Sequence, residues 1–208
     1  MAIKISKIKK IKTKNQIFFE KKIFNIKKKY KDNRIGPGGT TIRKGTFIEK
    51  NVVVMPPSFI NIGAIIKKNT MIDSNVLIGS FAKIGKNNHI SAGVQIGGCL
   101  EPINSFPVIT EKNVFIGGNC GIFDGVIIKK NCVIGAGTTI TSSMKIYDIN
   151  NKKKIIKKKN YLTVPKNSIV VQGSKKIKNT NLNTNVLIII KKNNKKTKKK
   201  LKINNFLR

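Results

Sequence analysis

The chain has 208 residues, of which 43 are lysine or arginine and eight are aspartate or glutamate, so its formal net charge is +35. This length is typical of a single domain. The lysine-rich start has no continuous apolar region, and the aliphatic run at 186–190 is too short to cross a bilayer. The three cysteines have no CxxC spacing, which suggests neither a disulfide framework nor a zinc site. We therefore expect a soluble, cytoplasmic protein.

The positive charge invites a nucleic-acid interpretation, because lysines neutralise phosphates. However, all but three of the basic residues are lysines, and their longest runs, at 27–29, 152–159 and 191–200, lie largely outside the repeat described below. No aromatic-rich stripe accompanies them, as a surface that stacks single strands would need. We interpret the excess of lysine as compositional drift at tolerant surface positions and expect no specific nucleic-acid partner.

Aliphatic residues recur at every sixth position along the middle of the chain. The positions are Ile42, Ile48, Val54, Ile60, Ile66, Ile72, Ile78, Ile84, Ile90 and Ile96, then Ile116, Ile122, Ile128, Ile134, Ile140 and Ile146, with Val170 as one more. A period of six fits neither a 3.6-residue helix nor the alternation of a long strand, but it fits a short strand plus a corner repeated around a triangular coil. Two residues before each position lies a small or β-branched residue, such as Thr46, Ala64 or Val76, which suits a narrow prism. The pattern predicts an all-β protein built as a parallel β-helix.

Three segments follow from this pattern. Residues 1–33 form a basic N-terminal extension whose composition is compatible with a short helix or a hairpin. Residues 34–148 hold the coils. Residues 149–208 form a C-terminal capping segment with a lysine-rich tail, in which we expect strands at 168–172 and 186–191 to cover the last apolar layer, as solenoids require.

The six-residue pattern breaks once, between Ile96 and Ile116, where the gap of twenty residues equals three repeats plus two. We expect residues 97–110 to leave the prism as a loop. Extra residues in one coil of a repeat protein usually map to a loop on the binding face. The pair Gly97 and Gly98 would let the backbone approach a ligand closely.

Few side chains are available for acid or base chemistry. Asp73 follows Ile72 at a corner, Asp124 lies two residues after Ile122, and Glu101 lies in the expected loop. Each of the aspartates can also be a simple turn former, and Glu101 a solvated loop residue. The single histidine, His89, is at least as well explained as a hydrogen-bonded structural residue as it is as a base.

Several stretches together resemble one family. They are NIGAIIKKNTMIDS, IGKNNHISAGVQIGGCLEPINSFPVI, NVFIGGNCGIFDGVII and KIYD, with VPKNSIVVQGS and KKTKKKLKINNFLR nearer the end. These resemble tetrahydrodipicolinate N-succinyltransferase of the lysine and diaminopimelate pathway over the last five-sixths of the chain. The resemblance implies a homotrimer of left-handed parallel β-helices, with active sites between neighbouring subunits. It also implies succinyl transfer from succinyl-CoA, a co-substrate, to tetrahydrodipicolinate, giving N-succinyl-2-amino-6-oxopimelate and CoA with no permanently bound cofactor and no metal.

The resemblance also implies roles for individual residues. Asp73 matches the substrate-binding aspartate of the family, which would hold the substrate ammonium and help it to lose a proton. Arg34, in RIGPGG, best matches the substrate-binding arginine, whose guanidinium would clamp a carboxylate. We expect the loop, with Gly97, Gly98 and Glu101, to cover the pantetheine arm of CoA.

The sequence departs from the family in two places. Gly121 stands where many members carry a glutamate proposed for catalysis. That glutamate is then dispensable, or Asp124 substitutes for it, or Asp73 and backbone donors suffice. The family also usually has a larger helical domain before the coils, where this chain has a short basic segment.

Two other functions stay open at this point. One is another CoA-dependent hexapeptide acyltransferase, with an acetyl donor. The other is a non-catalytic basic β-helix that binds nucleic acid through its lysines, in a complex that would weaken steeply with salt.

Overall fold

A computed structural model of the chain describes residues 8–12, 17–21, 32–102, 105–150, 153–155, 161–194 and 197. Strands β1 (Ile8–Lys12) and β2 (Ile17–Lys21) form an antiparallel hairpin, one of the two structures that the sequence allowed for the N-terminal extension. The rest of that extension and the predicted basic tail after residue 197 lie outside the described residues. No helix within the described ranges is long and apolar enough to span a membrane.

The body of the protein is a left-handed parallel β-helix with three faces made of short strands. Face 1 contains β3 (Arg34–Ile35), β6 (Val53–Val54), β9 (Met71–Ile72), β12 (His89–Ile90), β15 (Phe115–Ile116), β18 (Val133–Ile134) and the start of β23 (Ser168–Lys176). Face 2 contains β4 (Thr41–Ile42), β7 (Phe59–Ile60), β10 (Leu77–Ile78), β13 (Gln95–Ile96), β16 (Gly121–Ile122) and β19 (Thr139–Ile140). Face 3 contains β5 (Phe47–Ile48), β8 (Ile65–Ile66), β11 (Lys83–Ile84), β14 (Ile109–Thr110), β17 (Ile127–Ile128) and β22 (Thr163–Val164).

The chain turns at three corners in each coil. Corner A joins face 1 to face 2, corner B joins face 2 to face 3, and corner C joins face 3 to face 1 of the next coil. Where no residues are inserted a full coil takes 18 residues, so that Ile60 pairs with Ile78 and Ile72 with Ile90. Stacked strands lie about 4.8 Å apart, and this spacing is the rise of the coil.

The six-residue pattern forms the core, as predicted. Its positions are buried, except Ile48, which is partly buried against the core. Burying an isoleucine side chain fully contributes about 1.5–3 kcal/mol relative to exposure, so the column of isoleucines is a large stabilising term. Ile146 is buried outside the prism, because β20 (Ile146–Asp148) pairs with β21 (Lys153–Ile155) and β24 (Asn183–Lys192) instead of entering face 3.

The pattern resumes one repeat earlier than the sequence suggested. Thr110 occupies a core position of face 3 and is 2% exposed. Its hydroxyl oxygen accepts hydrogen bonds from the Asn88 side-chain amide at 2.6 Å and from the Gly85 N–H at 3.1 Å. A threonine is tolerated in the core because the buried Asn88 satisfies it. The prediction that the loop runs to residue 110 was therefore wrong, and the insertion ends before Val108, which is buried.

The coils continue past residue 148. Thr163–Val164 pairs in parallel with β17, and Ile169–Val170 pairs in parallel with β18, which completes one more coil. Residues 141–161 are therefore a second insertion, and it leaves at corner B, as the first one does. The two strands expected near the end form an antiparallel hairpin of β23 and β24, with longer strands than predicted.

A ladder of asparagines runs along corner C. Its members all have a φ between 56° and 60°, and each side-chain amide donates to the side-chain oxygen of the next at 2.9–3.4 Å; they are Asn51, Asn69, Asn87, Asn113, Asn131 and Asn167. Asparagine suits this place because it tolerates the left-handed conformation and can bond above and below. The ladder fixes the vertical alignment of six coils.

We expect Asn113→Ala to destabilise the protein by about 1–3 kcal/mol, since it breaks two ladder bonds and places a non-glycine residue without a compensating amide at positive φ. Asn113→Gly loses the same bonds but relaxes the backbone, so we expect a smaller loss. Urea unfolding of both variants at one protein concentration measures the difference. Equal losses would show that the backbone conformation contributes nothing.

Candidate active site

The acidic residues singled out from the sequence lie at two different corners. Asp73 lies at corner A, directly after β9. Glu101 and Asp124 lie at corner B, which also carries both insertions. Corners A and B are the two edges of face 2, so this face separates the two groups within one chain.

The carboxylate of Asp73 is fixed by its own turn. One oxygen accepts the N–H of Ser74 at 2.8 Å, and the other makes no hydrogen bond with a described residue. The Asp73 N–H donates to Ile90 in the next coil at 2.9 Å, and the buried Ser58 hydroxyl donates to the Asp73 carbonyl at 2.9 Å. Asp73 is half-buried. The sequence placed Asp73 at a corner but offered no signal for the support from Ser58.

The coils that follow Asp73 along the chain lie above it, and small residues occupy their corner A. In the three coils that follow, the corner reads Ser91-Ala92-Gly93, Gly117-Gly118 and Gly135-Ala136-Gly137. Adjacent coils pack closely here, since a Cβ on Gly117 would lie 2.5 Å from the backbone of Ala136. These small residues form a stripe parallel to the axis of the prism that starts at Asp73, and we call this stripe the trough. Asn119 completes the corner of the Gly117 coil, and its side chain lies against Gly93. The sequence alone did not single out this stripe.

Arg34 lies below Asp73 on the same side of the prism. It pairs with Val53, which pairs with Met71, so it is two coils below and two residues before Asp73. From the strand spacing and the rise per residue, the two Cα atoms are about 12 Å apart. Arg34 is exposed. A guanidinium and a carboxylate thus lie on one side of the prism, with the coil of Val53 between them.

The first insertion begins with Gly97 and Gly98, and the structure gives packing as the reason for both glycines. A Cβ on Gly97 would lie 3.1 Å from the Phe123 ring, and a Cβ on Gly98 would lie 2.5 Å from the Ser80 hydroxyl oxygen. The Cys99 N–H also donates to that hydroxyl, at 3.3 Å. The base of the insertion is therefore closed against the coil below. Glu101 lies further out and is exposed.

Asp124 acts as a turn residue in this chain. Its φ is 54°, it is exposed, and its side chain accepts the Ser142 N–H at 3.4 Å. The width of face 2 and two coils separate it from Asp73. The structure of one chain therefore does not bring Asp124 to Asp73, and Asp124 could assist only at a site shared with another subunit.

Gly121 lies on β16, between these two corners. Its outward side is covered by the ring of Phe123, and a Cβ on Gly121 would lie 2.9 Å from the Phe123 Cζ atom. The phenyl ring thus occupies the space that a longer side chain at residue 121 would need. Sequence reasoning had no signal for this, since Phe123 lies one residue beyond a core position.

The six outward strand residues of face 2 are uncharged; they are Thr41, Phe59, Leu77, Gln95, Gly121 and Thr139. The Arg43 guanidinium, from corner B, lies over the Phe59 ring, 5.7 Å from its centroid. Leu77 is 37% exposed. At the end of the prism formed by the last coils, a cleft of about 560 Å³ is lined mainly by hydroxyl and amide side chains, among them Thr139, Thr141, Ser143, Gln172 and Asn185.

Other reactive groups have structural surroundings. The His89 ring stacks on Phe115 with centroids 4.9 Å apart. Burial raises the pKa of the Cys99, Cys120 and Cys132 thiols, that of Cys132 to about 11. A thiol with a raised pKa is a poor nucleophile, so these cysteines are not suited to covalent catalysis.

Comparison with known proteins identifies the family. The model of the hexapeptide repeat of succinyl-transferase matches residues 107–142, and that of the bacterial transferase hexapeptide (six repeats) matches residues 63–98. A 2,3,4,5-tetrahydropyridine-2,6-dicarboxylate N-succinyltransferase of Buchnera aphidicola subsp. Baizongia pistaciae is 46% identical over 96% of this chain and 68% of its own length. The chain belongs to the family of these N-succinyltransferases.

The N-succinyltransferase family resemblance is thereby confirmed. The enzyme of that name from Wolbachia pipientis wMel is 51% identical over 82% of this chain and 60% of its own length. The chain therefore spans about two thirds or less of the length of these relatives. A solved structure described as a 2,3,4,5-tetrahydropyridine-2-carboxylate N-succinyltransferase of Campylobacter jejuni is 14% identical, with a TM-score of 0.43 over 90% of this chain and 48% of that one.

Restoring a glutamate by Gly121→Glu should be possible but should require the Phe123 ring to move. We expect a loss of about 1–3 kcal/mol, typical of overpacking. In a Phe123→Leu background the same substitution should cost less. The free energies of unfolding of the wild type, both single variants and the double variant give the coupling energy between residues 121 and 123. No coupling between the two sites would contradict the contact.

Proposed function

We propose that the chain transfers the succinyl group of succinyl-CoA to the amine of ring-opened tetrahydrodipicolinate. Its curated relatives carry this activity in their names. The observation that carries the proposal is the Asp73 carboxylate, held by the Ser74 N–H at the lower end of a trough of small residues. A carboxylate at this place can bind an ammonium, and the trough leaves room for an elongated acyl donor.

Asp73 would act on the nucleophile. The substrate amine must be neutral before its nitrogen attacks the thioester carbonyl carbon, after which the carbon–sulfur bond breaks and CoA leaves as the thiol. The free oxygen of Asp73 would accept a hydrogen bond from the ammonium and help it to lose a proton. Because the other oxygen is fixed by Ser74, the amine would meet a carboxylate of defined orientation.

Arg34 would hold the other end of the substrate. A guanidinium recognises a carboxylate with two parallel hydrogen bonds, which a lysine cannot do. Arg34 is one of only two arginines within the coils, beside Arg43. Arg43 directly follows β4 at corner B, at the edge of face 2 opposite Asp73. Arg34, on the same side of the prism as Asp73, is therefore the better clamp for a substrate carboxylate.

The trough would take the pantetheine arm of the acyl donor. Apart from Asn119, whose side chain lies on Gly93, the corner residues above Asp73 are no larger than serine, so an extended chain could run along corner A close to the backbone. The path ends at the polar cleft, where Gln172 accepts the Thr139 N–H at 3.1 Å. Hydroxyl and amide groups of this kind suit the more polar nucleotide end of CoA.

We further propose a homotrimer in which face 2 is covered by a neighbour. The six outward strand residues of face 2 are uncharged although the chain has a net charge of +35, and the nearby Arg43 guanidinium packs over the Phe59 ring. Its two edges carry the two parts of the candidate site, Asp73 on one and the insertions on the other. Packing face 2 against another subunit would bring corner A of one chain to corner B of the next. Charged residues are depleted at the cores of such interfaces.

Mixing the purified protein with succinyl-CoA and tetrahydrodipicolinate should release thiol. Acetyl-CoA in a parallel reaction tests the choice of donor. We expect Asp73→Asn to lower the rate about a hundredfold or more, the usual contribution of an acid–base group, with the oligomer intact. Asp32→Asn removes an exposed carboxylate at corner C and serves as the charge-matched control. A rate for Asp73→Asn within about threefold of the control would refute the role of Asp73. If Asp124→Asn also lowers the rate, a neighbouring subunit contributes that carboxylate.

Deleting residues 99–106 restores the six-residue spacing between Ile96 and Thr110. We expect the shortened protein to fold, because the corner positions on either side are kept, and to lose CoA binding. Phe106→Ala removes only the edge contact with Tyr161, whose ring centroid is 4.6 Å away, and controls for lost packing. Calorimetric titration with CoA measures both. Unchanged affinity after the deletion would rule out a role of this loop in binding CoA.

A further inference from the structure

Corner C carries a straight row of lysines, one in each of six consecutive coils. Each lysine immediately precedes a member of the asparagine ladder, and all six are exposed; they are Lys50, Lys68, Lys86, Lys112, Lys130 and Lys166. The strand pairings keep them aligned across both insertions, since Phe47 pairs with Ile65 and Ile127 with Thr163. At about 4.8 Å per coil the row is about 24 Å long. We call these six residues the lysine row.

The lysine row is held by a rigid support. The asparagine beside each lysine has the same positive φ and bonds to the asparagines above and below. The backbone at this corner therefore repeats with little variation, while the lysine side chains point away from the core into solvent. The backbone therefore places several ammonium groups in one line. No separate contact is needed to align each lysine side chain with the others.

Glu49 and Glu111, two of the carboxylates on this corner, bind other lysines. Glu49 contacts the Lys67 ammonium at 2.9 Å and the Lys68 N–H at 2.8 Å. Glu111 repeats the arrangement with Lys129 and the Lys130 N–H, both at 2.9 Å. Within the described residues, no carboxylate lies within salt-bridge distance of an ammonium of the lysine row. The row therefore keeps its charge available to a ligand.

We propose that the lysine row binds a linear polyphosphate chain along corner C. Ammonium groups spaced closely along a line repel one another, and a continuous polyanion neutralises all of them and releases its counterions. A chain with a charge on every phosphate needs no particular alignment with the row. The three corner positions in each coil, at 49–51, 67–69, 85–87, 111–113, 129–131 and 165–167, include no arginine and no aromatic residue.

The composition of the corner favours polyphosphate over nucleic acid as the ligand. Single-stranded nucleic acids gain much of their affinity from bases stacked on aromatic side chains, and the corner positions hold none. Phe47, on face 3 beside the lower end of the row, is exposed, but the Lys67 ammonium lies over its ring at 5.4 Å. The phosphates of a duplex wind around its axis, whereas the lysine row is straight. The row also lies on the corner opposite face 2, so it stays accessible if face 2 is covered, and occupying it does not block Asp73.

The test compares two variants with the same loss of charge. In the row variant, Lys68, Lys86, Lys112 and Lys130 are changed to glutamine. In the matched control, Lys44, Lys83, Lys176 and Lys178, which are exposed at scattered places, are changed to glutamine. Both retain the lysines outside the described residues. Binding of fluorescent polyphosphate is measured between 50 and 200 mM NaCl, with circular dichroism to confirm folding.

We expect wild-type affinity to fall by about 300- to 1,000-fold over this range, as about six ionic contacts would require. The row variant should bind at least about tenfold more weakly at 50 mM NaCl with a shallower salt dependence, while the control stays within about threefold of wild type. Equal losses in both variants would overturn the proposal, because the charge would then act without regard to place. If the row variant does not fold, Lys86→Glu and Lys83→Glu are compared in the same way.

Competition identifies the ligand. Polyphosphate should displace the labelled chain at lower phosphate concentration than single-stranded RNA or duplex DNA. Equal or better competition by either nucleic acid would show that polyphosphate is the wrong ligand. Absence of polyphosphate binding by the wild type at 50 mM NaCl would refute the site itself.

Discussion

The hydrogen bonds between successive coils determine the position of every functional group in this protein. Each face is joined to the coil above by backbone bonds, such as Met55 to Ile72 and Asp73 to Ile90, at 2.8–2.9 Å. A residue therefore has its chemical neighbours 18 positions away rather than beside it in the sequence. The isoleucine core, the asparagine ladder and the trough are all consequences of this stacking. Both insertions lie at corner B, where they leave the ladder and the trough intact. The first coil has one extra residue at corner A, below the trough, since Arg34 pairs with Val53, 19 positions away.

The sequence predicted the core well because one physical signal dominates it. A six-residue period of isoleucine has no competing explanation in helices or long strands, and the structure buries those positions. The errors arose where a polar group took a core position. Thr110 looked like part of a loop, since nothing in the sequence shows that Asn88 lies beside it and satisfies its hydroxyl. Likewise, the last coil at Thr163–Val170 was hidden by the long insertion that precedes it.

The residues of the candidate site could be identified from the sequence, but their relative positions could not. Asp73, Arg34 and the loop were identified through resemblance and the break in the pattern. Their relative positions depend on the corner at which each residue lies, and the corners are known only once the strands are paired. Pairing places Arg34 and Asp73 on one edge of face 2, and Asp124 and the loop on the other. It also shows that Gly121 is shielded by Phe123 and that Gly98 is needed for packing against Ser80.

The lysines show the same dependence on position. Compositional drift at exposed sites would add lysine wherever side chains reach solvent, and Leu77, Gln95 and Thr139 on face 2 do reach solvent in a single chain. Yet the outward positions of face 2 hold no lysine, whereas at corner C the residue before each ladder asparagine is a lysine in all six coils. A lysine buried at an interface would lose its hydration, while one on an outer corner would not. The outward strand positions of faces 1 and 3 carry little charge too, with Arg34 on face 1 and Lys83 on face 3. What distinguishes corner C is therefore that every one of its six coils places a lysine there, as a corner that stays open to solvent would allow.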